Sequence, residues 1–275
     1  MTPSPNGVSI HPDPQALVAT TAARLITKLV DVQSRRGEAT VVLTGGTVGI
    51  ATLEAVTANP ARTAVDWTRV NFWWGDERFL PAGDPELNSL QARQAMLDPL
   101  GVPAARIHAV ATANEADTVE DAAADYARQL AEAAAAEQLE AGFEPLDPRL
   151  PRFDVLLLGV GPDAHIASLF PETPGVRTVG ATTVAVRDAP KPPPERISLT
   201  LESINTASEV WLGVAGNDKA GAVGLALAGA GEIQVPAAGA RGRTKTRWLI
   251  DQAAASQLSR RLFASHDSDT EEDED

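Results

Sequence analysis

The stretch FDVLLLGVGPDAHIASLFP, residues 153–171, decides the fold and points to the chemistry. Its first half is a short apolar run of the kind that forms a strand buried on both faces of a sheet, and it ends at two glycines. Asp163 and His165 follow within the next four residues. A buried strand that ends in glycines and titratable side chains is typical of a parallel sheet with a ligand site beyond its strand ends.

The rest of the chain alternates in the same way between short apolar segments and helical patterns. The predicted strands are ATVVL, the first part of RVNFWWGDERFLP, RIHAV, FDVLLLGVG, TTVAVRD, EVWLGVAG and TRWLID. The predicted helices cover about 14–36, IATLEAVTA, NSLQARQAMLDPLG, about 115–141, NDKAGAVGLALAG and a C-terminal segment that ends near Phe263. This alternation predicts a single α/β domain, doubly wound, with a mostly parallel sheet and helices on both faces.

Composition sets the boundaries of that domain. Residues 1–7 are expected to be disordered, residues 8–264 form the predicted α/β domain, and residues 265–275 form a predicted acidic disordered tail. The tail contains DSDTEEDED, with seven acidic residues and no basic one. Such a segment has almost nothing apolar to bury, which is why we predict no folded structure for it.

Several classes of protein are disfavoured by the composition. The chain has no cysteine, which excludes disulfides, thiolate metal sites and a cysteine nucleophile. A formal net charge of −14 argues against broad nucleic-acid binding. No apolar run approaches the roughly 18 residues of a membrane span, and the N-terminus has no secretory signal pattern. We therefore expect a cytoplasmic protein that does not bind membranes, and we expect it to be a monomer.

The ends of the first two predicted strands carry anion-binding candidates. In LTGGTVGI, the residues Gly45, Gly46 and Thr47 match either a phosphate cradle at a helix N-terminus or an ordinary tight turn. In GDERF, Asp76 could orient a base or a substrate hydroxyl, and Arg78 could clamp a phosphate. The alternative for GDERF is a surface ion cluster.

The later strand ends add a base and two more cations. His165 can act as a general base near neutral pH, or it can simply cap the following helix. Lys219 lies at the start of a predicted helix and Arg196 precedes an apolar run, so each could contact an anion or remain solvated. Metal binding is poorly supported, because HExxH and calcium-loop spacings are absent, and no GxSxG pattern indicates a serine nucleophile.

Over about residues 10–262 the sequence resembles the 6-phosphogluconolactonase family. The segments that carry the resemblance are LTGGT, FWWGDERFLP with NSLQARQAML, FDVLLLGVGPDAHIASLFP, and RISLTLESINTASEVWLGVAGNDKA. Three positions depart from the family pattern, since Ala164 replaces the usual glycine, Ile166 the usual threonine, and Gly49 the proline that many members carry after the phosphate loop. A β-carbon at position 164 restricts the turn geometry.

The resemblance implies hydrolysis of 6-phospho-D-glucono-1,5-lactone to 6-phospho-D-gluconate in the oxidative pentose phosphate pathway, with no metal and no organic cofactor. It implies that His165 is the general base, helped by Asp76 and Asp163. It assigns the phosphate to Gly45, Gly46, Thr47 and Arg78, with contributions from Arg196 and Lys219. The sequence leaves open which of Arg196, Arg187 and Lys219 contact the phosphate.

Two other functions compete with this interpretation. A glucosamine-6-phosphate deaminase/isomerase shares the HIA spelling but continues with Phe-Asn-Glu-Pro, whereas this chain has SLFP after HIA. A non-catalytic sugar-phosphate-binding protein would retain the phosphate groups but lose turnover through the altered loop at Ala164.

Overall fold

The computed structural model of the chain describes residues 6–141 and 147–258. The strands are β1 Asn6–His11, β2 Ala39–Leu43, β3 Val70–Trp74, β4 Asp76–Arg78, β5 Val155–Gly159, β6 Thr183–Val186, β7 Arg196–Leu199, β8 Glu209–Val214 and β9 Lys245–Asp251. The helices are α1 Pro14–Arg36, α2 Gly46–Ala58, α3 Asn88–Ala92, α4 Val119–Ala141, α5 Leu201–Ile204, α6 Ala220–Leu227 and α7 Pro236–Gly239. A π-helical segment, Arg93–Leu97, continues α3.

Six strands form one sheet in the order β1-β9-β8-β5-β2-β3, and every neighbouring pair in it is parallel. Chain order runs outward from the centre in both directions, from β2 to β3 on one side and from β5 to β8 and β9 on the other. This is a doubly wound α/β sheet, so the predicted fold class is confirmed.

Both faces of the sheet are covered, as the continuous apolar strands require. In β5, Val155 and Leu157 belong to the core layer that includes Leu25 of α1, and Leu156 and Leu158 belong to the layer that includes Tyr126 of α4. The tryptophans of NFWW and WLGVAG, expected in the core, are buried.

A second, antiparallel sheet with the order β4-β7-β6 was not predicted. It arises because the chain breaks at Gly75, where β3 ends in the large sheet and β4 begins in the small one. The Gly75 N–H donates to the Leu43 carbonyl at 2.9 Å, and its own carbonyl accepts from the Leu199 N–H at 2.9 Å. Gly75 therefore joins the two sheets, and Asp76–Arg78 of GDERF form β4, although only the first part of RVNFWWGDERFLP was predicted to be a strand.

The chain ends also differ from the predictions. Strand β1 was not predicted, and its first residues, Asn6 and Gly7, fall in the segment expected to be disordered but pair with Thr246 and Arg247. The predicted strand RIHAV does not form a strand, and its Ile107 makes one isolated β-bridge to Phe72. Residues 252–258 form turns instead of a helix, and the rest of the predicted C-terminal helix and the acidic tail lie outside the described residues. Within residues 6–141 and 147–258, the structure contains no helix that is long and apolar enough to cross a membrane.

Candidate active site

The four glycine-containing strand ends lie side by side. Strands β8, β5, β2 and β3 are consecutive in the sheet and parallel, so residues 216–219, 159–165, 44–47 and 75–78 follow their carboxyl ends in that order. The direction of winding changes between β5 and β2. Ligands of doubly wound sheets bind at this switch point, and the loop that carries His165 starts there.

His165 and Asp163 form a hydrogen-bonded pair. The distance between His165 Nδ1 and Asp163 Oδ1 is 2.5 Å, and the His165 side chain retains 17% of its exposure. Burial by itself raises the pKa of Asp163, but the hydrogen bond and attraction from His165, together with the charge of Lys191, lower that pKa to about 2. Because an ionised carboxylate only accepts hydrogen bonds, Nδ1 carries the proton and the neutral imidazole has its lone pair at Nε2.

The loop geometry depends on Gly161. Its N–H donates to the His165 carbonyl at 3.0 Å, and its carbonyl accepts from the Ala164 N–H at 2.9 Å. A β-carbon at position 161 would lie 2.1 Å from His165 Nδ1 and 2.5 Å from Asp163 Oδ1. Glycine at this position is therefore what allows the histidine and the aspartate to pack against the backbone.

Ala164 has φ +66°, in the left-handed region that favours glycine. An alanine in this conformation costs roughly 1–2 kcal/mol. Its side chain is buried, at 3% exposure, and a buried methyl group contributes about 0.8 kcal/mol in return. Burial of the methyl group therefore offsets part of the conformational cost at this position, where the resemblance led us to expect glycine.

Asp76 is buried and holds the histidine loop through Ser168, with no hydrogen bond to His165 among the described residues. Its Oδ2 accepts a hydrogen bond from Ser168 Oγ at 2.8 Å, three residues after His165. The backbone carbonyl of Asp76 accepts from Asn88 Nδ2 at 2.9 Å. Asp76 thus connects β4, the start of α3 and the His165 loop, and Ser168 is a participant that sequence reasoning missed.

Gly45, Gly46 and Thr47 form the N-terminal turn of α2. Gly45 is the N-cap and has no capping side chain, and Gly46 has φ +77°. A β-carbon on Gly45 would lie 1.9 Å from Asn88 Oδ1, so α2 can approach α3 only with glycine there. Gly46 and Thr47 are exposed. The backbone N–H groups of this first helical turn have no partner within the helix and suit an anion.

Arg78 and Arg196 face each other across the antiparallel pair β4–β7. Arg196 is buried, and its Nε and Nη2 donate to the carbonyls of Lys191, Pro192 and Pro193 at 3.0 Å each. Burial lowers the pKa of Arg196, Asp76 opposes that shift and Arg78 adds to it. Arg78 donates from Nη1 to the Glu86 carbonyl, while its buried Nε has no hydrogen-bond partner among the described residues.

Two lysines complete the cations near the loop. Lys219 Nζ donates to Asp218 Oδ2 at 2.9 Å, in the turn that follows β8. Lys191 Nζ lies 3.7 Å from Asp163 Oδ1. Sequence reasoning missed Lys191, although it is one of only four lysines and precedes Arg196 by five residues in KPPPER.

Arg187, left open from the sequence, is placed in a different setting. Its guanidinium pairs with Glu120 and, at 2.8 Å, with Glu195, and the side chain is 53% exposed. Two carboxylates therefore already compensate its charge. We assign Arg187 to a surface ion cluster and do not count it among the residues that bind the phosphate.

A cavity of about 730 Å³ between residues 107–117 and α4 contains none of the predicted site residues. Its lining includes four acidic residues, Glu115, Asp117, Asp121 and Asp125. A phosphate would be repelled there, so the strand-end loops are the better candidate despite the size of this cavity. In the part of the chain that the structure describes, no three His, Asp or Glu side chains are grouped to hold a metal ion.

Known proteins of one family resemble this chain over most of its length. The family model described as glucosamine-6-phosphate isomerases/6-phosphogluconolactonase matches residues 12–248. The 6-phosphogluconolactonase of Streptomyces coelicolor is 56% identical over 256 residues, which cover 92% of this chain and 95% of that protein. The 6-phosphogluconolactonase of Mycobacterium tuberculosis is 44% identical over 256 residues, covering 92% of this chain and 98% of that one.

The fold is shared with solved structures. That of 6-phosphogluconolactonase from Trypanosoma brucei superposes with a TM-score of 0.78 at 23% identity, covering 93% of this chain and 100% of the other. At that identity the likeness concerns the fold alone, whereas the family match and the identities above extend to sequence. The chain therefore belongs to the glucosamine-6-phosphate isomerase/6-phosphogluconolactonase family.

Proposed function

We propose that this chain hydrolyses 6-phospho-D-glucono-1,5-lactone to 6-phospho-D-gluconate, the lactone-opening step of the oxidative pentose phosphate pathway. The observation that carries the proposal is the His165–Asp163 pair at the switch point of the sheet, with Nδ1 engaged at 2.5 Å and Nε2 left as the basic nitrogen. Relatives named 6-phosphogluconolactonase, at up to 56% identity, support this member of the family over a deaminase.

The base acts first on water. His165 Nε2 takes a proton from a water molecule while the water oxygen forms a bond to the lactone carbonyl carbon, and the carbonyl becomes a tetrahedral oxyanion. Asp163 stabilises the imidazolium that forms. General-base help of this kind is worth about 10²–10⁴-fold in rate.

The same imidazolium completes the reaction. It returns its proton to the ring oxygen as the bond between that oxygen and the carbonyl carbon breaks, which leaves a hydroxyl group and a carboxylic acid. The acid then loses its proton to solvent. Water is the only co-substrate, and no step requires a metal ion or an organic cofactor.

We assign the 6-phosphate to the first turn of α2 and the nearby cations. The N–H groups of Gly46 and Thr47 and the dipole of α2 favour an anion. Arg78 has a buried Nε without a hydrogen-bond partner among the described residues, and Lys219 follows β8, which lies two strands from β2 in the sheet. Arg196, whose Nε and Nη2 are held by backbone carbonyls, acts mainly by fixing the Lys191 segment and raising the local positive potential.

The deciding experiment is a turnover assay with freshly made lactone, coupled to a dehydrogenase that consumes 6-phosphogluconate. We expect hydrolysis well above the spontaneous rate, insensitivity to EDTA and no ammonia release from glucosamine 6-phosphate. The unphosphorylated lactone should be a much poorer substrate, because phosphate contacts position the carbonyl near His165. Ammonia release without lactone turnover would instead assign the chain to the deaminases, and neither activity would favour a sugar-phosphate-binding protein.

The value of kcat/KM should fall on the acid side of its pH profile, because an imidazolium cannot accept the proton of water.

The monomeric state and the cytoplasmic location remain predictions from the sequence. Gel filtration with light scattering tests the first, and localisation of a tagged chain tests the second.

A further inference from the structure

A group of cations lies at the amino-end edge of the large sheet, opposite the strand-end loops. Arg24 and Lys28 are one turn apart on α1, Glu209 is the first residue of β8, and Arg247 is the third residue of β9. We call these four residues the Arg24 cluster. The cluster is separate from the candidate active site, because parallel strands place their first residues at one edge and their last residues at the other.

Glu209 is the shared acceptor of the Arg24 cluster. Its Oε1 accepts from Lys28 Nζ at 2.7 Å, and its Oε2 accepts from Arg247 Nε at 3.0 Å and from Trp211 Nε1 at 2.9 Å. The guanidinium of Arg247 also lies 5.7 Å from the centre of the Trp211 ring. These contacts occupy the Glu209 carboxylate and leave it little capacity for another donor.

Arg24 has no counter-ion within residues 6–141 and 147–258. Its Nε is buried and has no hydrogen-bond partner among the described residues. Burial lowers the pKa of Arg24, the charge of Arg247 lowers it further, and Glu209 only partly opposes this. The repulsion between the Arg24 and Arg247 guanidinium groups is therefore stronger than the attraction between Arg24 and Glu209.

The charges of the cluster do not balance. Within residues 6–141 and 147–258, Glu209 is the only carboxylate in ion-pair contact with Lys28 and Arg247. The side chains are largely shielded from water, at 20% exposure for Lys28, 20% for Arg247 and 9% for Glu209. Three cations around one acid leave an excess of two positive charges, which is costly when the groups are partly desolvated.

The neighbouring strand leaves room beside the cluster. Gly7 of β1 pairs with Arg247 and has no side chain to cover it. Lys245 precedes Arg247 by two residues and so points to the same face of the sheet. A β-carbon on Gly7 would lie 3.8 Å from Lys245 Cε, so a fourth cation borders the same opening.

We propose that the Arg24 cluster binds a dianionic oxyanion, either inorganic phosphate or the phosphate group of a phosphorylated metabolite, between Arg24 and Arg247. Two negative charges match the excess of two positive ones. A tetrahedral oxyanion accepts the forked donors of guanidinium groups, which a chloride ion cannot do equally well. The site is independent of lactone hydrolysis, since it shares no residue with the groups assigned to that reaction.

The test follows side-chain NMR signals during a titration with inorganic phosphate at constant ionic strength. The signals that are followed belong to residues at the edge of the sheet opposite the strand-end loops, so they report on the Arg24 cluster and not on the active site. We expect saturable shifts of the Nε–Hε signals of Arg24 and Arg247 and of the Nε1–H signal of Trp211. Glucose 6-phosphate replaces inorganic phosphate in a second arm, which separates free phosphate from a phosphate monoester.

Variants of α1 make the test specific. Arg24→Gln should weaken the phosphate response of Trp211 by about tenfold or more, and Arg24→Lys, which keeps the charge but loses the fork, should weaken it less. Arg35→Gln is the matched control, because Arg35 is an exposed arginine on the same helix that bonds the Asp31 carbonyl. Its phosphate response and the turnover of all three variants should match wild type.

The proposal is overturned if the shifts grow linearly and equally with chloride. It is also overturned if folded Arg24→Gln responds to phosphate as wild type does. Neither result would affect the assignment of lactone hydrolysis, because turnover is read separately.

Discussion

At the scale of single residues, the division of labour between His165 and Asp163 follows from their contact. The carboxylate fixes the proton on Nδ1, so the imidazole presents only Nε2 as a base. His165→Ala should lower kcat by about 10² or more while the affinity for 6-phosphogluconate changes little. The coupled turnover assay measures kcat, and calorimetry measures the affinity for 6-phosphogluconate. A variant whose turnover stays within threefold of wild type would contradict the assignment.

Asp163 also ties stability to pH. Its pKa in the folded chain is about 2, below the ordinary value of 3.8, so its contribution to stability is present above pH about 4 and is lost as the pH falls toward 2. Asp163→Asn removes that titration. We expect urea unfolding to show a stability gap between wild type and variant that is largest above pH 4 and narrows below it.

The control for this prediction is Asp117→Asn, which changes an exposed aspartate that forms no ion pair with any of the described residues. Its stability gap should stay small at every pH. A gap for Asp163→Asn that stays constant from pH 6 to pH 3 would mean that the His165–Asp163 contact does not stabilise the fold. The variant should also lose about tenfold or more in kcat, because the imidazolium loses its partner.

Arg78 should contribute to phosphate binding through its unpartnered Nε. Arg78→Ala should weaken the binding of 6-phosphogluconate by about 1.5–3 kcal/mol, the usual value of a charge-assisted hydrogen bond. Arg187→Ala is the matched control, since it removes one positive charge from a residue already paired with Glu120 and Glu195. Calorimetry that finds equal affinities for the two variants would return Arg78 to a structural role.

At the scale of elements, the strand-to-loop transition after β5 is the most sensitive part of the site. Gly161→Ala places a β-carbon 2.1 Å from His165 Nδ1, so the histidine, the aspartate or the backbone must move. A displacement of about 1 Å at a catalytic group can cost about 10²-fold, and we expect a loss of that size in kcat.

Gly159→Ala supplies the comparison, because a β-carbon at position 159 would meet no atom within 4 Å. Circular dichroism and melting curves should show both variants folded, with turnover lost only in Gly161→Ala. Equal losses in the two variants would indicate that the contact between the β-carbon at position 161 and the histidine is not the cause.

The elements also show what the sequence could and could not predict. Continuous apolar runs identified β2, β3, β5, β8 and β9, because a strand buried on both faces needs no alternation. The small antiparallel sheet escaped prediction, since its pairing of β4 with β7 joins residues about 120 positions apart and leaves no local pattern. Strand β1 was missed because NGVSIH is short, mixed in polarity and flanked by prolines.

The site was predictable to the extent that parallel strands align their carboxyl ends. That rule alone places the motifs at Gly45, Asp76, His165 and Lys219 at one edge of the sheet. Lys191 and Ser168 were not predicted, because they reach the site through tertiary contacts with Asp163 and Asp76. The left-handed conformation of Ala164 was also unpredictable, since alanine itself gives no signal for it.

At the scale of the whole molecule, an acidic chain concentrates its few lysines at the two edges of one sheet. Lys191 and Lys219 lie beside the strand-end loops, and Lys28 and Lys245 lie at the amino-end edge. The formal net charge of the chain is −14, so each of these edges carries local positive charge on a chain that is negative as a whole. At 0.15 M salt the screening length is about 8 Å, and short-range contacts therefore decide whether an anion binds.

The C-terminal acids provide a test of that screening argument. Deleting residues 266–275 removes seven acidic residues and no arginine or lysine, which leaves a net charge of −7. The segment has no apolar side chain to bury, so the melting temperature and kcat at 0.15 M salt should stay unchanged. At about 10 mM salt, kcat/KM of the deletion variant for the anionic substrate should rise modestly above that of the full-length chain, because long-range repulsion is then less screened.

A full-length chain with the seven acids changed to Asn and Gln separates charge from length and should behave like the deletion at both salt concentrations. A drop in melting temperature or kcat at 0.15 M salt would show that the acidic segment contacts the folded domain.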